Sequence, residues 1–493
     1  MMLNLSPYRS CLFGFTLLMW LATPAYSQES SSLNQNIDNA LKTRCLDDSQ
    51  TSVSIVAMPS GKVVYAYNTE QPLLPASVMK IITTAAALHY LGPEYRFKTQ
   101  FLYRGERKNG TLLGDLIIRA GGDPTLSTEK LWPIVRQIKA SGINEITGNL
   151  IIDAHFFDQY DRAPDWKVER SQRAYDAKLS ALSLNFNSLA IHVQPGQGIG
   201  NKPNAWLEPS LPYINLRNTA KTIKRGKNTV SVRRSEEVPG TVEMLLRGKL
   251  PLRAKERIIR LNVDNPMRYA TETFRALLIQ AGIKINGSTK VIHTPIVANE
   301  WYEHLSDPLS LVLKTLNTYS NNLTAEQIVK TIAADRYGTP GTHAEGLRLI
   351  KEFLHLSHVN MQGLVLADGS GLSRKNRMTT RAITNVLTSL FSRFDIGPDF
   401  ISTLRVMGAY GVLSQRLAKS PARGKIRAKT GSLRRVSTLA GYVASQDGKV
   451  YGYALFLNNN RCGPWKADKI EDRIVTAIHN FGDGVTRLNT AKK

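Results

Sequence analysis

Acidic residues are in short supply in this chain. There are 39 Asp and Glu against 64 Lys and Arg among 493 residues, a formal net charge of +25. That imbalance predicts an anionic contact surface: a nucleic acid, an anionic membrane face or an acidic envelope polymer. Cysteine is scarcer, at three residues, which excludes a small disulfide-dense scaffold. Aromatic residues make up only 8%, but hydrophobic residues reach 42%, ordinary for a globular protein and too high for a disordered one. The 35 Gly are scattered and no heptad run is present, so collagen and coiled coil are excluded. Past the N-terminus no apolar run reaches the roughly 20 residues a membrane helix needs. The length suggests two to four domains at about 100–200 residues each.

What is present begins with a leader pattern. Arg9 precedes the apolar run Cys11–Ala22, and Ala25-Tyr26-Ser27 offers small residues at signal-peptidase spacing. This predicts a secretory signal removed after Ser27, with an uncleaved membrane anchor as the alternative. Export argues against a nucleic-acid partner and predicts a periplasmic or otherwise exported protein. Cys11 leaves with the leader, so Cys45 and Cys462 remain, one near each end of the chain. In an oxidising compartment the two invite a disulfide; two buried free thiols are the alternative.

Residues 34–44 read as a short amphipathic helix. Residues 52–58 and 62–67 are β-rich runs around Pro59-Ser60-Gly61, a hairpin signal. From Ser77 the chain is apolar on nearly every side until Gly92-Pro93, as a buried helix would be. Residues 93–265 have a different texture, with β-branched alternation, Gly and basic residues. Within it, Gly114–Ile118 and Gly148–Ile152 echo each other 34 residues apart, which reads as two similar strands of one sheet. Between Arg217 and Arg260 there are 13 Lys or Arg and four acidic residues, a surface for anionic polymers or simply a solvated charged face. Helices follow at 267–281, 308–316 and 323–334, then strands at 426–433, 435–445 and 450–458 and a last helix at 465–481. The two ends thus form one α/β (α+β) unit with an antiparallel sheet, and the middle is an insertion.

Three short motifs carry chemistry. Ser77-Val78-Met79-Lys80 is S-x-x-K at the head of the buried helix. Residues i and i+3 share a helix face, so Lys80 reaches Ser77, and a desolvated lysine can activate a serine. Ser127-Thr128-Glu129-Lys130 has the same form in a polar stretch, and reads as a decoy. Ser320-Asn321-Asn322 is S-x-N between two helices. Its hydroxyl can relay a proton and its amide can hold a substrate carbonyl, although Ser320 may equally be a helix N-cap. Lys429-Thr430-Gly431 is K-T-G on a strand, followed by Ser432. A cation and hydroxyls there suit a substrate carboxylate, and Gly431 allows close backbone approach. The N–H groups of Ser77 and Ser432 are candidates for an oxyanion hole.

In this order the three motifs resemble those of the D-alanyl-D-alanine carboxypeptidase/endopeptidase family, the class C low-molecular-mass penicillin-binding proteins. The 243 residues from Ser77 to Ser320 match the family's insertion, where β-lactamases are far shorter. Ala120–Leu126, Ser320–Glu326 and Asp368–Arg374 are further family-like strings. The resemblance implies a β-lactamase/transpeptidase-like domain at 28–92 and 266–493. It also implies an inserted domain at 93–189 and a nested β-rich basic domain at 190–265. It implies a serine DD-peptidase in which Ser77 attacks, Lys80 takes its proton, Ser320 and Lys429 protonate the leaving amine, Asn322 positions the peptide, and Thr430 and Ser432 bind the terminal carboxylate. Peptidoglycan stem peptides would be substrates and β-lactams would acylate Ser77, with no cofactor or metal. Some members bind a stem-peptide amine through an acidic residue of the insertion; here the stretch 164–170 offers Asp165 and Glu169. In the fold resembled, first and last strands are antiparallel neighbours, which brings Cys45 beside Cys462.

Other features read as structural. His355 and His358 at i, i+3 lack a third ligand, and read as a solvated helix face. Asp368–Ser373 lacks the glycine of a nucleophile elbow and reads as a tight turn lining the cleft. A β-lactamase on the same scaffold would need E-x-x-L-N after S-x-N, but Glu345–Leu349 ends in Leu. A catalytically idle wall-binding module is opposed by the three intact motifs.

Overall fold

The structure, a computed structural model, describes residues 26–166, 171–238, 240–409 and 415–481. The leader through Ala25 and Glu169 lie outside the described residues.

The first hairpin, Thr51–Ala57 and Val63–Tyr67, forms one edge of a six-stranded antiparallel sheet. Thr51–Ala57 pairs along its whole length with Val450–Leu457, the last strand of the chain. Beyond it come Val436–Ala444, Ile426–Leu433 and the two-residue strand Arg405–Val406. One sheet face carries α1 (Tyr26–Leu41) and, from the other end of the chain, the C-terminal helix (Pro464–Asn480). Leu33, Ile37, Ile470, Ile474 and Ile478 pack there on Val53, Ile55 and Leu455. Each such fully buried aliphatic side chain contributes about 1.5–3 kcal/mol. Helix α1 runs from residue 26 to 41, earlier than the 34–44 read from the sequence. Cys45 and Cys462 are disulfide-bonded where these two helices meet the sheet, with Cα atoms 4.8 Å apart.

The other face carries α2 (Met79–Leu91), whose residues Met79–Leu88 are all buried. Gly92, at φ 79°, ends it, its N–H donating to Leu88 O. An all-helical layer surrounds α2.

The chain then enters a second core. Lys98–Lys108 and Thr111–Arg119 form its central hairpin. The echoing segments are neighbours: Leu116, Ile117 and Ile118 pair in parallel with Leu150, Ile151 and Ile152. Helix α3 (Thr128–Ala140) packs on this sheet and was not foreseen; its cap is Ser127, the serine of the decoy motif, accepting from Lys130 N–H. Helix α4 (Pro266–Gln280), begun by Asn265 as cap and Pro266 at its first turn, packs in the same core through Phe274, Leu277 and Leu278. The sequence reading returned the chain to the peptidase domain at residue 266. In the structure, Lys284–Ile285, Thr289–Ile292 and Asn299–Leu305 pair with strands between 98 and 153, so the chain leaves this sheet only after Leu305. Smaller sheets formed by residues 188–262 complete the insertion.

The chain re-enters the first core as α5 (Leu309–Tyr319) and α6 (Asn322–Tyr337), followed by α7 (His343–Leu356), α8 (Thr380–Phe391) and α9 (Gly397–Thr403). Helix α7 ends before His358, which sits at φ 54° in the following turn; the two histidines do not share a helix. Among the described residues no helix is long and apolar enough to cross a membrane.

Candidate active site

Ser77 lies on a single 3-10 turn, Ala76–Val78, that runs directly into α2. Ala76 takes φ 46°, a left-handed conformation an alanine adopts only when its surroundings impose it. The surroundings are visible. Thr438 Oγ1 donates to Pro75 O at 2.8 Å, and Ala76 O packs so closely on Gly371 that a Cβ there would lie 1.7 Å away. Ser77 is half-buried and sits at the start of the helix, where unpaired N–H groups favour developing negative charge.

Lys80 is fully buried one turn later. Its Nζ lies 3.1 Å from Ser77 Oγ, 2.7 Å from Asn322 Oδ1 and 2.6 Å from Ser370 O. Burial pulls its pKa down to about 8, against the pull of Asp368 and Glu326 in the other direction. The amide oxygen and the carbonyl can only accept, so the neutral amine spends its two N–H bonds on them. Its lone pair is left facing the Ser77 hydroxyl.

Ser320 closes α5 in the left-handed conformation, φ 55°. The cap of α6 is its neighbour Asn321, which accepts from Thr324 N–H. Ser320 Oγ is thereby free of capping and accepts from Lys429 Nζ at 2.9 Å. Asn322 does not offer a free amide. Its Oδ1 holds Lys80 and its Nδ2 donates to Tyr175 O at 3.1 Å, so it positions the lysine and ties the insertion to the site.

Lys429 is also buried, and its Nζ donates to Ser320 Oγ and Thr430 O. Burial holds its pKa well below the usual lysine value, and the cations Lys80 and Arg405 push the same way. Among the described residues no carboxylate pairs with it. Gly431 does its work on the protein itself: a Cβ there would stand 2.3 Å from Thr438 Oγ1 and 2.7 Å from Ser77 N. Its missing side chain lets the strand abut the turn that carries Ser77. Thr430 is half-buried and Ser432 exposed on the same strand.

The stretch 368–373 reads as a turn lining the cleft; Asp368–Gly371 are buried beneath Lys80, while Leu372 and Ser373 line a cavity with Trp166 and Tyr175. Glu326, on α6, accepts from the N–H groups of Gly369 (3.1 Å) and Ser370 (2.7 Å). Asp368 accepts from Gly371 N–H, Ser373 N–H, Asn376 Nδ2 and Trp166 Nε1. Glu345, the residue weighed as a deacylating base, is engaged with Thr342, the N-cap of α7, whose hydroxyl accepts from Glu345 N–H and donates to the Glu345 carboxylate.

Residues 33–481 match the family described as the D-Ala-D-Ala carboxypeptidase 3 (S13) family. The chain belongs to that family. It is a serine-type D-Ala-D-Ala carboxypeptidase, a hydrolase. It is similar to the D-alanyl-D-alanine carboxypeptidase of Actinomadura sp. (strain R39), 31% identical over 90% of this chain and 84% of that one. It is similar also to the D-alanyl-D-alanine carboxypeptidase DacB of Haemophilus influenzae, 26% identical over 94% and 95%. In structure it resembles penicillin binding protein 4 from Haemophilus influenzae, with a TM-score of 0.76, 24% identity and coverage of 92% and 98%. The same protein complexed with a β-lactam gives a TM-score of 0.73.

In this S13 carboxypeptidase the three motifs converge as the sequence spacing requires. Sequence reasoning missed Glu326, Asp368, Ser370, Trp166, Tyr175 and Thr438 as members of the site. The first three lay within strings noted for their family likeness, which was a signal of importance but not of role.

Proposed function

We propose that this S13 carboxypeptidase removes terminal D-alanine from peptidoglycan stem peptides, and also cleaves cross-link amides, through an acyl-enzyme on Ser77. The observation that carries this reading is buried Lys80 Nζ, held 3.1 Å from Ser77 Oγ by two obligate acceptors, Asn322 Oδ1 and Ser370 O. Lys80 takes the hydroxyl proton as Oγ bonds to the carbonyl carbon. The N–H groups of Ser77 and Ser432 receive the oxyanion. The C–N bond breaks as Ser320, backed by Lys429, protonates the leaving amine. Water then releases the acyl group. Among the described residues Lys429 has no carboxylate partner, and a substrate's terminal carboxylate beside it, alongside Thr430 and Ser432, would favour its charged form. β-Lactams, which carry such a carboxylate, acylate Ser77 in the same pose. Beside Ser373 and Leu433 a cavity of 400 Å³, lined also by Asp165, Trp166, Tyr175 and Asp176, is placed for the stem-peptide side chain. Asp165 is held there by Lys375, which an incoming amine would displace. The leader pattern supports export, into the periplasm or otherwise out of the cytoplasm. Incubation with defined muropeptides and mass analysis tests the reading. Loss of terminal D-alanine from pentapeptides and splitting of cross-linked dimers are expected; neither product would refute it.

The basic end of the insertion supports an anionic envelope polymer or membrane face as a second partner. Lys221 and Lys249 are register neighbours in a parallel strand pair, and like charges so placed repel. The bonds Leu252 N–H to Ile223 O and Arg257 to Asn228 gather Lys224, Arg225, Lys227 and Arg253 around them. Charge-reversal of Lys224, Arg225 and Lys227 to Glu should abolish salt-sensitive co-sedimentation with anionic vesicles or acidic wall polymer. Undiminished co-sedimentation, or none by the unaltered protein, would remove this partner.

A further inference from the structure

Beneath the catalytic lysine the chain buries two carboxylates that none of the three motifs contains. Glu326 is 0% exposed and so is Asp368. Neither touches Ser77 or Lys80 directly in the hydrogen-bonding pattern. Both accept from the backbone of one turn. Glu326 takes the N–H groups of Gly369 and Ser370, and Asp368 those of Gly371 and Ser373. The carbonyl between these two pairs of anchors is Ser370 O, which receives Lys80 Nζ at 2.6 Å. Gly369 and Gly371 permit the clamp. A Cβ on Gly369 would stand 2.4 Å from Val329 Cγ2, and one on Gly371 1.7 Å from Ala76 O. The turn is therefore wedged between α6 and the nucleophile turn with no slack.

We propose that Glu326 is a positioning residue of the peptidase reaction: through the N–H groups of Gly369 and Ser370 it fixes the carbonyl on which Lys80 rests, and its charge acts on that lysine across the turn. Asp368 is its partner in this. Burial and the like charge of Glu326 push its carboxyl up, and its two oxygens meet four donors and no acceptor, which oppose that rise. A neutral clamp of the same shape would hold the turn. Only a charged one also stabilises the Lys80 ammonium, and so sets the pH at which the amine becomes available to Ser77.

The charged and titratable groups around this cluster are few. Glu326 faces His343 of α7 at 3.4 Å, feels Asp368 as a like charge, and acts on Lys330 one turn further along α6. Lys80 faces Asp368 and Glu326 on one side and lies close enough to Lys429 to depress it. Lys429 in turn feels Arg405. Burial pushes the Glu326 carboxyl up, and the His343 imidazole 3.4 Å away together with the N–H groups of Ser370 and Gly369 outweighs it and holds the carboxyl below its usual value.

The inference rests on Lys80 acting as the base. Lys80→Ala tests that premise separately, since normal acylation by that variant would sink the base assignment whatever Glu326 does. The test of the clamp is the pH profile of acylation by a chromogenic β-lactam for Glu326→Gln and Glu326→Asp. Glu326→Gln keeps the volume and loses the charge, so the acidic limb should move about one pH unit lower. Glu326→Asp keeps the charge, so its limb should stay near that of the unaltered enzyme even if the rate falls. A role confined to packing would lower the rate of both variants and move neither limb. An unmoved limb in Glu326→Gln, or equal movement in Glu326→Asp, overturns the proposal. If Glu326→Gln does not fold, Asp368→Asn reads the same quantity, with the same downward shift expected and an unmoved limb as the contrary result.

Discussion

Two lysines lie at the bottom of one cleft, both stripped of water, and their neighbours divide their roles. Lys80 has acceptors and two nearby carboxylates, which hold its pKa to about 8 against desolvation. Lys429 has a hydroxyl and a carbonyl as acceptors and no carboxylate nearby among the described residues; burial, reinforced by Lys80 and Arg405, holds its pKa well below the usual lysine value. If Lys80 must be neutral to take the Ser77 proton, acylation falls as pH drops through about 8, with about a tenth of the enzyme active at pH 7. A stopped-flow profile with a chromogenic β-lactam should show that limb, and a flat profile from pH 6 to 9 would contradict it. Lys429→Ala should lower kcat/KM for peptides with a free terminal carboxylate about 10- to 100-fold, the loss of one charged hydrogen-bond partner. Peptides amidated at that end should lose far less. Equal losses for both would remove the carboxylate-binding role.

The turn that carries Ser77 is met by two elements at glycines. The strand Ile426–Leu433 abuts the nucleophile turn at Gly431, and the buried turn abuts it at Gly371. Gly431→Ala should therefore shift Ser77 rather than unfold the protein. Acylation is expected to drop about 100-fold, the cost of a misplacement near 1 Å, with the melting curve little changed. An unaltered rate would show that the strand has room. The S-x-x-K decoy makes the matching control. Ser127 caps α3, so Ser127→Ala should cost about 1 kcal/mol of stability and leave acylation alone. The sequence revealed what depends on local spacing: Lys80 one helical turn from Ser77, the hairpin at 51–67, and the paired echo at 116–118 and 150–152. It hid the Glu326–Asp368 clamp, because those contacts join α6 to a turn over 40 residues away and neither residue touches the substrate-facing motifs. It also misplaced the end of the insertion. The strands between 284 and 305 are short and mixed, and only their partners near residues 98–153 identify them as members of that sheet.

At the scale of the whole molecule, the two chain ends close one sheet and the disulfide staples them. The pairing Thr51–Ala57 with Val450–Leu457 puts residue 45 beside residue 462 across a separation of 417. The chain-entropy model gives about 6 kcal/mol for so long a loop, and removal of native disulfides costs about 2–5 kcal/mol in practice. Cys45→Ser with Cys462→Ser should lower Tm while leaving acylation at 25 °C intact, because the staple lies where α1 and the C-terminal helix meet the sheet, on the face opposite α2. Two free thiols per unreduced, unfolded chain would contradict the bond. Export of a chain with two remaining cysteines invites this bond, but only the fold it resembles puts the two side by side, since cysteines so far apart carry no local signal. The claim on which the rest depends is that Ser77 alone is the nucleophile. Mass spectrometry of the intact and digested protein after exposure to labelled penicillin tests it most directly. One adduct per chain, on the peptide containing Ser77 and absent from Ser77→Ala, is the predicted result; an adduct on any other serine, Ser127 included, or labelling that survives in Ser77→Ala, would contradict it.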